Sequence, residues 1–245
     1  MNRLYTELAS DYHQLYQQIF NYQEQFEIFR DHLNRYACRK VAELGCGTGN
    51  LAVKFINEGF DYVGVDLAGE MITIARENNP QVTFFHQDMR FLKLNKVFDG
   101  ICITGRSFTY LTSNEDVKLC LAAIHRHLKA KGILIFDCFL AEAIFREMKN
   151  EHEFITTIGD REYTIHNKSK PNLNTGWTWN WEARYTIRNT DGETIREVDD
   201  SSVLRAFTLD EIRLLLELNG FNVLESQTEG KWFLITAQKI TDSSK

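Results

Sequence analysis

An acidic residue followed by three glycines at alternate positions, Glu43-Leu44-Gly45-Cys46-Gly47-Thr48-Gly49, joins an apolar run to a helical pattern through a turn almost free of side chains. Glycine takes positive φ without strain and lets a ligand come closer to the main chain than any Cβ permits. The segment therefore predicts a cradle for a nucleoside cofactor. Spacing separates the cofactors. A dinucleotide turn reads G-x-G-x-x-G and sets a pyrophosphate on a helix N-terminus; here Glu43 stands two places before the first glycine and Asn50 follows the last. A carboxylate in that place repels a pyrophosphate and suits a ligand carrying an ammonium and a sulfonium. The alternative is a strand–helix turn that holds no ligand, with Cys46 as a small packing residue.

Further along, Asp66 ends a second apolar run, where its carboxylate can accept both hydroxyls of a ribose. The alternative is a cap for the helical pattern that begins at Gly69. Trp177, Trp179 and Trp181 alternate along one predicted strand, so their indoles leave the same face. Either they cage a cationic or apolar substrate, or they are the buried side of a sheet. If the opposite face turns inward, Glu182 and Arg184 select the substrate. His125 and His127, two apart on a predicted helix, do not lie side by side. They read as solvated helix residues, and no metal is expected.

The elements that position these residues follow from hydrophobic periodicity. Up to about Lys40 the pattern is helical, with Phe20, Phe26, Phe29 and Leu33 spaced for one helix face that packs over the glycine turn. Strands are predicted at 40–45, 62–66, 82–87, 98–104 and 132–138, and helices at 51–58, 69–78 and 115–128; such alternation predicts a parallel sheet with right-handed crossovers. Gly59, Asn79-Pro80 and Lys131-Gly132 mark the helix stops. Between about 142 and 206 the period changes to two, with strands 153–158 and 161–165 around Gly159-Asp160, and 177–187 and 194–198 around Thr190-Asp191-Gly192. Thr208 and Glu211 have capping-box spacing before a helix over 209–218. A terminal hairpin, 221–224 and 232–237, and a frayed tail over 241–245 complete the chain. The division is 1–141 with 207–245 for the α/β unit and 142–206 for an inserted cap.

At 245 residues, 43% hydrophobic and 12% aromatic, the chain can bury a sizeable core. A formal net charge of -6 argues against general attraction to nucleic acid or an anionic membrane. Five cysteines without a C-x-x-C pair indicate neither a disulfide framework nor a zinc site, which suits a reducing cytoplasm. No signal core and no stretch of membrane-span length is present. A monomer or a homodimer is expected.

The run Glu43-x-Gly45-x-Gly47-x-Gly49 resembles motif I of the class I S-adenosylmethionine (SAM)-dependent methyltransferases. The resemblance implies a Rossmann-like α/β fold: a seven-stranded, mostly parallel sheet with a C-terminal antiparallel hairpin, an N-terminal helical lid and an inserted antiparallel β cap. It implies SAM as cofactor, held by Glu43, Gly45, Cys46, Gly47 and Gly49, with Asp66 and Leu67 at the ribose. Asp88 would accept from the adenine amino group, Met89 would meet the ring edge, and Thr104 would line the methionine end. The segment Tyr5-x-x-x-Ala9-x-x-Tyr12 is similar to the Tyr-x-x-x-Ala-x-x-Tyr-Asp signature of small-molecule methyltransferases, including aminosugar N-methyltransferases, with His13 in place of the Asp. It implies that Tyr5 and Tyr12 close over the methionine end and the transferred methyl; the alternative is the apolar stripe of a surface helix. Tyr110 stands where the aminosugar enzymes carry a His. A tyrosine near pKa 10 is a poor base, so Tyr110 is assigned to substrate contact. Tyr12 and Tyr110 are then the candidate catalytic residues, and Arg106, Phe108, Trp179, Trp181 and Arg184 the candidate substrate contacts.

The expected reaction is methyl transfer to N or O of a small-molecule acceptor. Pro80 and Pro171 are the only prolines, so the Asp/Asn-Pro-Pro-Tyr motif of exocyclic base methylation and the Pro-Cys nucleophile of cytosine C5 chemistry are missing, as is a Cys-x-x-x-Cys-x-x-Cys cluster. Two rivals stand beside it. One is an NAD(P)H-dependent reductase, disfavoured by Glu43 and the glycine spacing; the other is a SAM-binding regulatory protein without turnover.

Overall fold

The structure, a computed structural model, describes residues 2–241; the tail expected beyond Thr241 lies outside the described residues. After one 3-10 turn at Arg3–Tyr5 come α1 (Ala9–Ile19) and α2 (Tyr22–Arg35). They are two helices and not one, because Asn21 breaks the run and its side chain accepts from the Glu24 N–H as the cap of α2. Phe20 therefore sits at the break, while Phe26, Phe29 and Leu33 are buried along α2.

The alternation that follows builds the main sheet: β1 (Lys40–Leu44), α3 (Ala52–Asn57), β2 (Asp61–Asp66), α4 (Gly69–Asn78), β3 (Thr83–His86), β4 (Phe98–Ile103), α5 (Asn114–His127) and β5 (Leu128–Phe139). Then come α6 (Ala141–Glu147), four antiparallel strands β6 (Glu151–Ile158), β7 (Arg161–Pro171), β8 (Trp177–Arg188) and β9 (Thr194–Ala206), and finally α7 (Leu209–Leu218), β10 (Phe221–Glu229) and β11 (Trp232–Lys239). The seven-stranded sheet has the order β10-β11-β5-β4-β1-β2-β3. The five strands from β5 to the edge strand β3 pair in parallel, and β11 joins both β5 and β10 antiparallel. β1 and β4 are buried along almost their whole length, with Lys40 and Asp99 the partly exposed positions. The strand order reverses between them, and the carboxyl ends at such a reversal open a crevice.

Four local expectations change. β5 begins at Leu128, directly after α5, because Lys131 takes φ +59° and carries the strand through the expected stop. β7 and β9 run well past 165 and 198. In β9 the pairs Asp199-Asp200 and Ser201-Ser202 hide the period of two; Asp200 is nevertheless buried, because its carboxylate accepts the Arg3 and Leu4 N–H groups. Thr208 caps α7 by accepting from the Glu211 N–H, but the Glu211 carboxylate goes to Arg205 instead of closing the box. His127 is buried and not solvated: the Leu94 N–H donates to its Nε2, and its Nδ1 lies 2.8 Å from the Ala123 carbonyl. His125 packs edge-on against Phe221.

The N-terminal segment lies between the two sheets. Leu4, Leu8 and Leu15 pack with Tyr163, Tyr185 and Ile187 of the cap, whereas Ala9 packs with Ala68 and Met71 of the core. Among the described residues no helix is long and apolar enough to cross a membrane.

Candidate functional site

At the carboxyl ends of β1, β2 and β4, beneath α1, lies a cleft of about 350 Å³. Its floor is the glycine turn. Gly45, Gly47 and Gly49 all have positive φ, at +77°, +54° and +76°. A Cβ on Gly47 would meet nothing within 4 Å, so that backbone is open to a ligand. Gly49 faces away from the cleft toward Asn79 and Phe84, and its part is to fit the turn onto the core.

Glu43 is 1% exposed at the base of the cleft. Tyr62 from β2 and Thr104, just after β4, donate their hydroxyls to its two carboxylate oxygens, each at 2.5 Å. Burial pushes the carboxyl up to about 7 despite those donors. A cation entering the cleft favours the carboxylate and drives the proton off. Cofactor binding is therefore expected to release a proton near neutrality: affinity is highest above about pH 7 and falls by up to roughly tenfold per unit below it. Titration calorimetry in two buffers of different ionisation enthalpy checks this. Affinity that stays flat from pH 6 to pH 8 in the wild type would remove Glu43 from the cationic end.

Asp66 accepts the Gly47 N–H and the Ala68 N–H, each at 2.8 Å, so one carboxylate pins the glycine turn to the end of β2. Burial raises its pKa, and the backbone donors work against that rise. Two oxygens accepting one N–H each keep lone pairs for further donors. Leu67, Asp88 and Met89 line the same wall. The Asp88 carboxylate is held by the Arg90 guanidinium at 2.6 Å, and Arg90 reaches on to Asp116. That clamp had no motif to announce it.

The roof is aromatic. Tyr5 and Tyr12 meet edge to face at 5.5 Å, and the Tyr5 and Tyr110 hydroxyls are hydrogen-bonded at 2.7 Å. Tyr12 stacks on Tyr16 at 4.0 Å and Tyr16 on Phe20 at 5.5 Å, a ladder one helical turn per step. Phe20, expected over the glycine turn, lines the cleft together with Tyr16 and Tyr22, which no motif marked, although Tyr16 continues the i, i+4 spacing from Tyr12. Burial holds the Tyr5 and Tyr12 hydroxyls far above their usual range and pushes Tyr110 up to about 12, so none is a base. The Cys46 thiol is buried and pushed up likewise, which leaves it inert.

The structure corrects the candidate substrate contacts. Phe108 is fully buried, stacked on Phe136 at 4.4 Å. Arg106 (φ +61°) does not itself line the cleft; its guanidinium lies over the rings of Phe20, Phe139 and Trp232. Trp179 is 4% exposed and packs edge-on against Phe139 and Phe145, and Trp181 joins the same apolar cluster. Trp177 lies against Phe145 but stays exposed at the strand's start, so the tryptophan face packs on Phe139 and Phe145 and does not cage the cleft. Arg184 is exposed on the other face and bonded to Asp199.

The comparisons with known proteins agree with this geometry. The model of a methyltransferase domain matches residues 41–132, from β1 into β5. A relative from Geobacillus sp. (strain WCH70), named as a methyltransferase, is 32% identical over 198 residues, which is 78% of this chain and 77% of the relative. A dTDP-3-amino-3,4,6-trideoxy-alpha-D-glucopyranose N,N-dimethyltransferase of Streptomyces venezuelae is 29% identical over 97 residues, 40% of this chain and 41% of that protein. Among solved structures, a SAM-dependent methyltransferase from Clostridium acetobutylicum superposes with a TM-score of 0.79 at 20% identity, covering 97% of this chain and 99% of that one. The amino pentose methyltransferase CalS10 of Micromonospora echinaspora, solved with SAM bound, gives 0.74 at 21% identity over 92% and 97%. The cleft fits that cofactor by its own features: open backbone at Gly47, a buried carboxylate at the base and a second acid at the end of β2. The chain belongs to the class I SAM-dependent methyltransferases.

Proposed function

We propose that the enzyme methylates N or O of a small molecule that enters between the α/β core and the cap, with segment 142–206 as the substrate cap. The observation that carries this reading is the enclosed tyrosine roof: Tyr5, Tyr12 and Tyr110 lie over the cleft, and none of the described residues lining it is a histidine or a lysine. The cofactor supplies an electrophilic methyl on a sulfonium, held by Glu43, Gly45, Gly47, Asp66, Leu67, Asp88 and Met89. The protein's part is alignment and exclusion of water, worth up to about 7–11 kcal/mol in ideal cases. Tyr5 and Tyr12 cover the reacting end, and Tyr110, its ring partly exposed at the rim and its hydroxyl desolvated beside that of Tyr5, orients the acceptor. An amine acceptor must arrive neutral, and an apolar, desolvated roof disfavours its ammonium form. The aminosugar and glycine/sarcosine N-methyltransferases among the relatives support an amine.

The test is a screen of amine, hydroxyl and carboxyl acceptors with SAM, read as S-adenosylhomocysteine formed. Turnover of small amines, lost on adding nothing but acid to protonate them, is the expected result. Methylation confined to nucleic acid or folded protein would overturn the proposal.

A further inference from the structure

His13 occupies the place of the acid in the signature that Tyr5, Ala9 and Tyr12 otherwise match. Its ring turns away from the cleft into an outer groove, where Nδ1 lies 2.8 Å from the Thr48 hydroxyl in the glycine turn. Gln17 Nε2 lies 2.9 Å from the other ring nitrogen and Asn78 Nδ2 3.5 Å. With those amides donating to Nε2, the proton sits on Nδ1, which donates to Thr48 Oγ1. Burial lowers the pKa of the ring and keeps it neutral for that arrangement.

The weight of this bond comes from how α1 is held elsewhere. Toward the cap the ties are many: Asp11 accepts from the Tyr163 hydroxyl at 3.1 Å and lies 3.4 Å from the Arg196 guanidinium and 3.6 Å from that of Arg161. Arg196 also donates to the Glu7 carbonyl, Asp200 accepts two N–H groups from the start of the chain, and three leucines pack on cap side chains. Toward the α/β core the ties are fewer: Asn2 and Tyr5 bond to Tyr110, Ala9 packs on Ala68 and Met71, and His13 reaches Thr48 and Asn78. Tyr12 and Tyr16 of α1 line the cleft, so a lift of α1 widens the way out for a cofactor bound there.

We infer that His13 is the latch of the lid: its hydrogen bond to Thr48 fastens α1 to the glycine turn and sets how fast the cofactor product leaves. The inference rests on the cleft being the cofactor site. Because His13 lines the outer groove and not the cleft, its removal changes no wall of the binding site.

Surface plasmon resonance on the full chain, with S-adenosylhomocysteine as the probe, measures release directly. Loss of one neutral hydrogen bond predicts a release rate constant raised by about 3-fold to 10-fold in His13→Ala and in Thr48→Val. Combining the two should add nothing further, since both remove the same bond. Thr48→Ser keeps the hydroxyl and should release at the wild-type rate, which separates the bond from any disturbance of the turn; melting curves identify a variant that does not fold. Unchanged release in both single variants, or multiplicative effects in the double, overturns the latch while leaving the cofactor site standing. No binding by the wild type removes both.

Discussion

Asp66→Ala is expected to weaken SAM binding by a hundredfold or more. The carboxylate has lone pairs to spare for two ribose hydroxyls, and hydrogen bonds to a charged acceptor are worth about 1.5–3 kcal/mol each, so losing two costs about 3 kcal/mol at the least. A second loss adds to it, because the Gly47 and Ala68 N–H groups lose their acceptor and the glycine turn loses its anchor on β2. Asp66→Asn separates the contributions: one amide oxygen still accepts an N–H, but the charge is gone and an N–H donor faces the other, so affinity should fall to an intermediate value. Calorimetry with SAM and S-adenosylhomocysteine reads both variants. Wild-type affinity in Asp66→Ala would end the assignment of the β2 terminus to the ribose.

The glycines of the turn predict a contrast. Gly45→Ala places a Cβ 2.7 Å from Ser107 Cβ and closer still to its Oγ, and Ser107 cannot simply swing aside, since its hydroxyl donates to the Thr104 carbonyl at 2.8 Å. Left-handed backbone costs an L-residue about 1–2 kcal/mol, and overpacking adds about 1–3. A loss of about 3 kcal/mol follows, or roughly 6–12 °C in Tm for a chain of this size. Gly47→Ala has the same sign of φ but meets no atom within 4 Å. It should lose only the strain of about 1–2 kcal/mol in stability and spend its effect on SAM affinity, because the new methyl occupies the surface the ligand needs. Thermal melts beside calorimetry distinguish the two, and equal stability losses in both would contradict the packing described at Ser107.

These predictions rest on the part of the molecule most legible beforehand. The glycine turn, the acid ends of the strands and the seven-stranded sheet are written locally: positive φ selects glycine, buried parallel strands select continuous apolar runs, and Thr208 or Asn79-Pro80 punctuates a helix by short-range chemistry. The placement of α4 and α7 follows from such signals alone.

The cap shows where that reasoning stops. Alternation in β8 identifies two faces, one with three tryptophans and one with Glu182 and Arg184, but nothing within the strand says what another segment will lay against either. The structure puts Phe139 and Phe145 on the tryptophan side and Asp199 beside Arg184. In the same way Phe108 is near the cleft in sequence but is drawn into the core by Phe136 and Phe207.

By itself, then, the sequence determined the fold class, the glycine cradle and the acids around it, since each depends on neighbours a few residues away. Only the tertiary structure decided that Glu43 is embraced by Tyr62 and Thr104, that a tyrosine ladder on α1 roofs the cleft, and that His13 ties that helix to Thr48. Those contacts join residues far apart in the chain, and which of them form depends on how the layers pack, a property no local pattern carries.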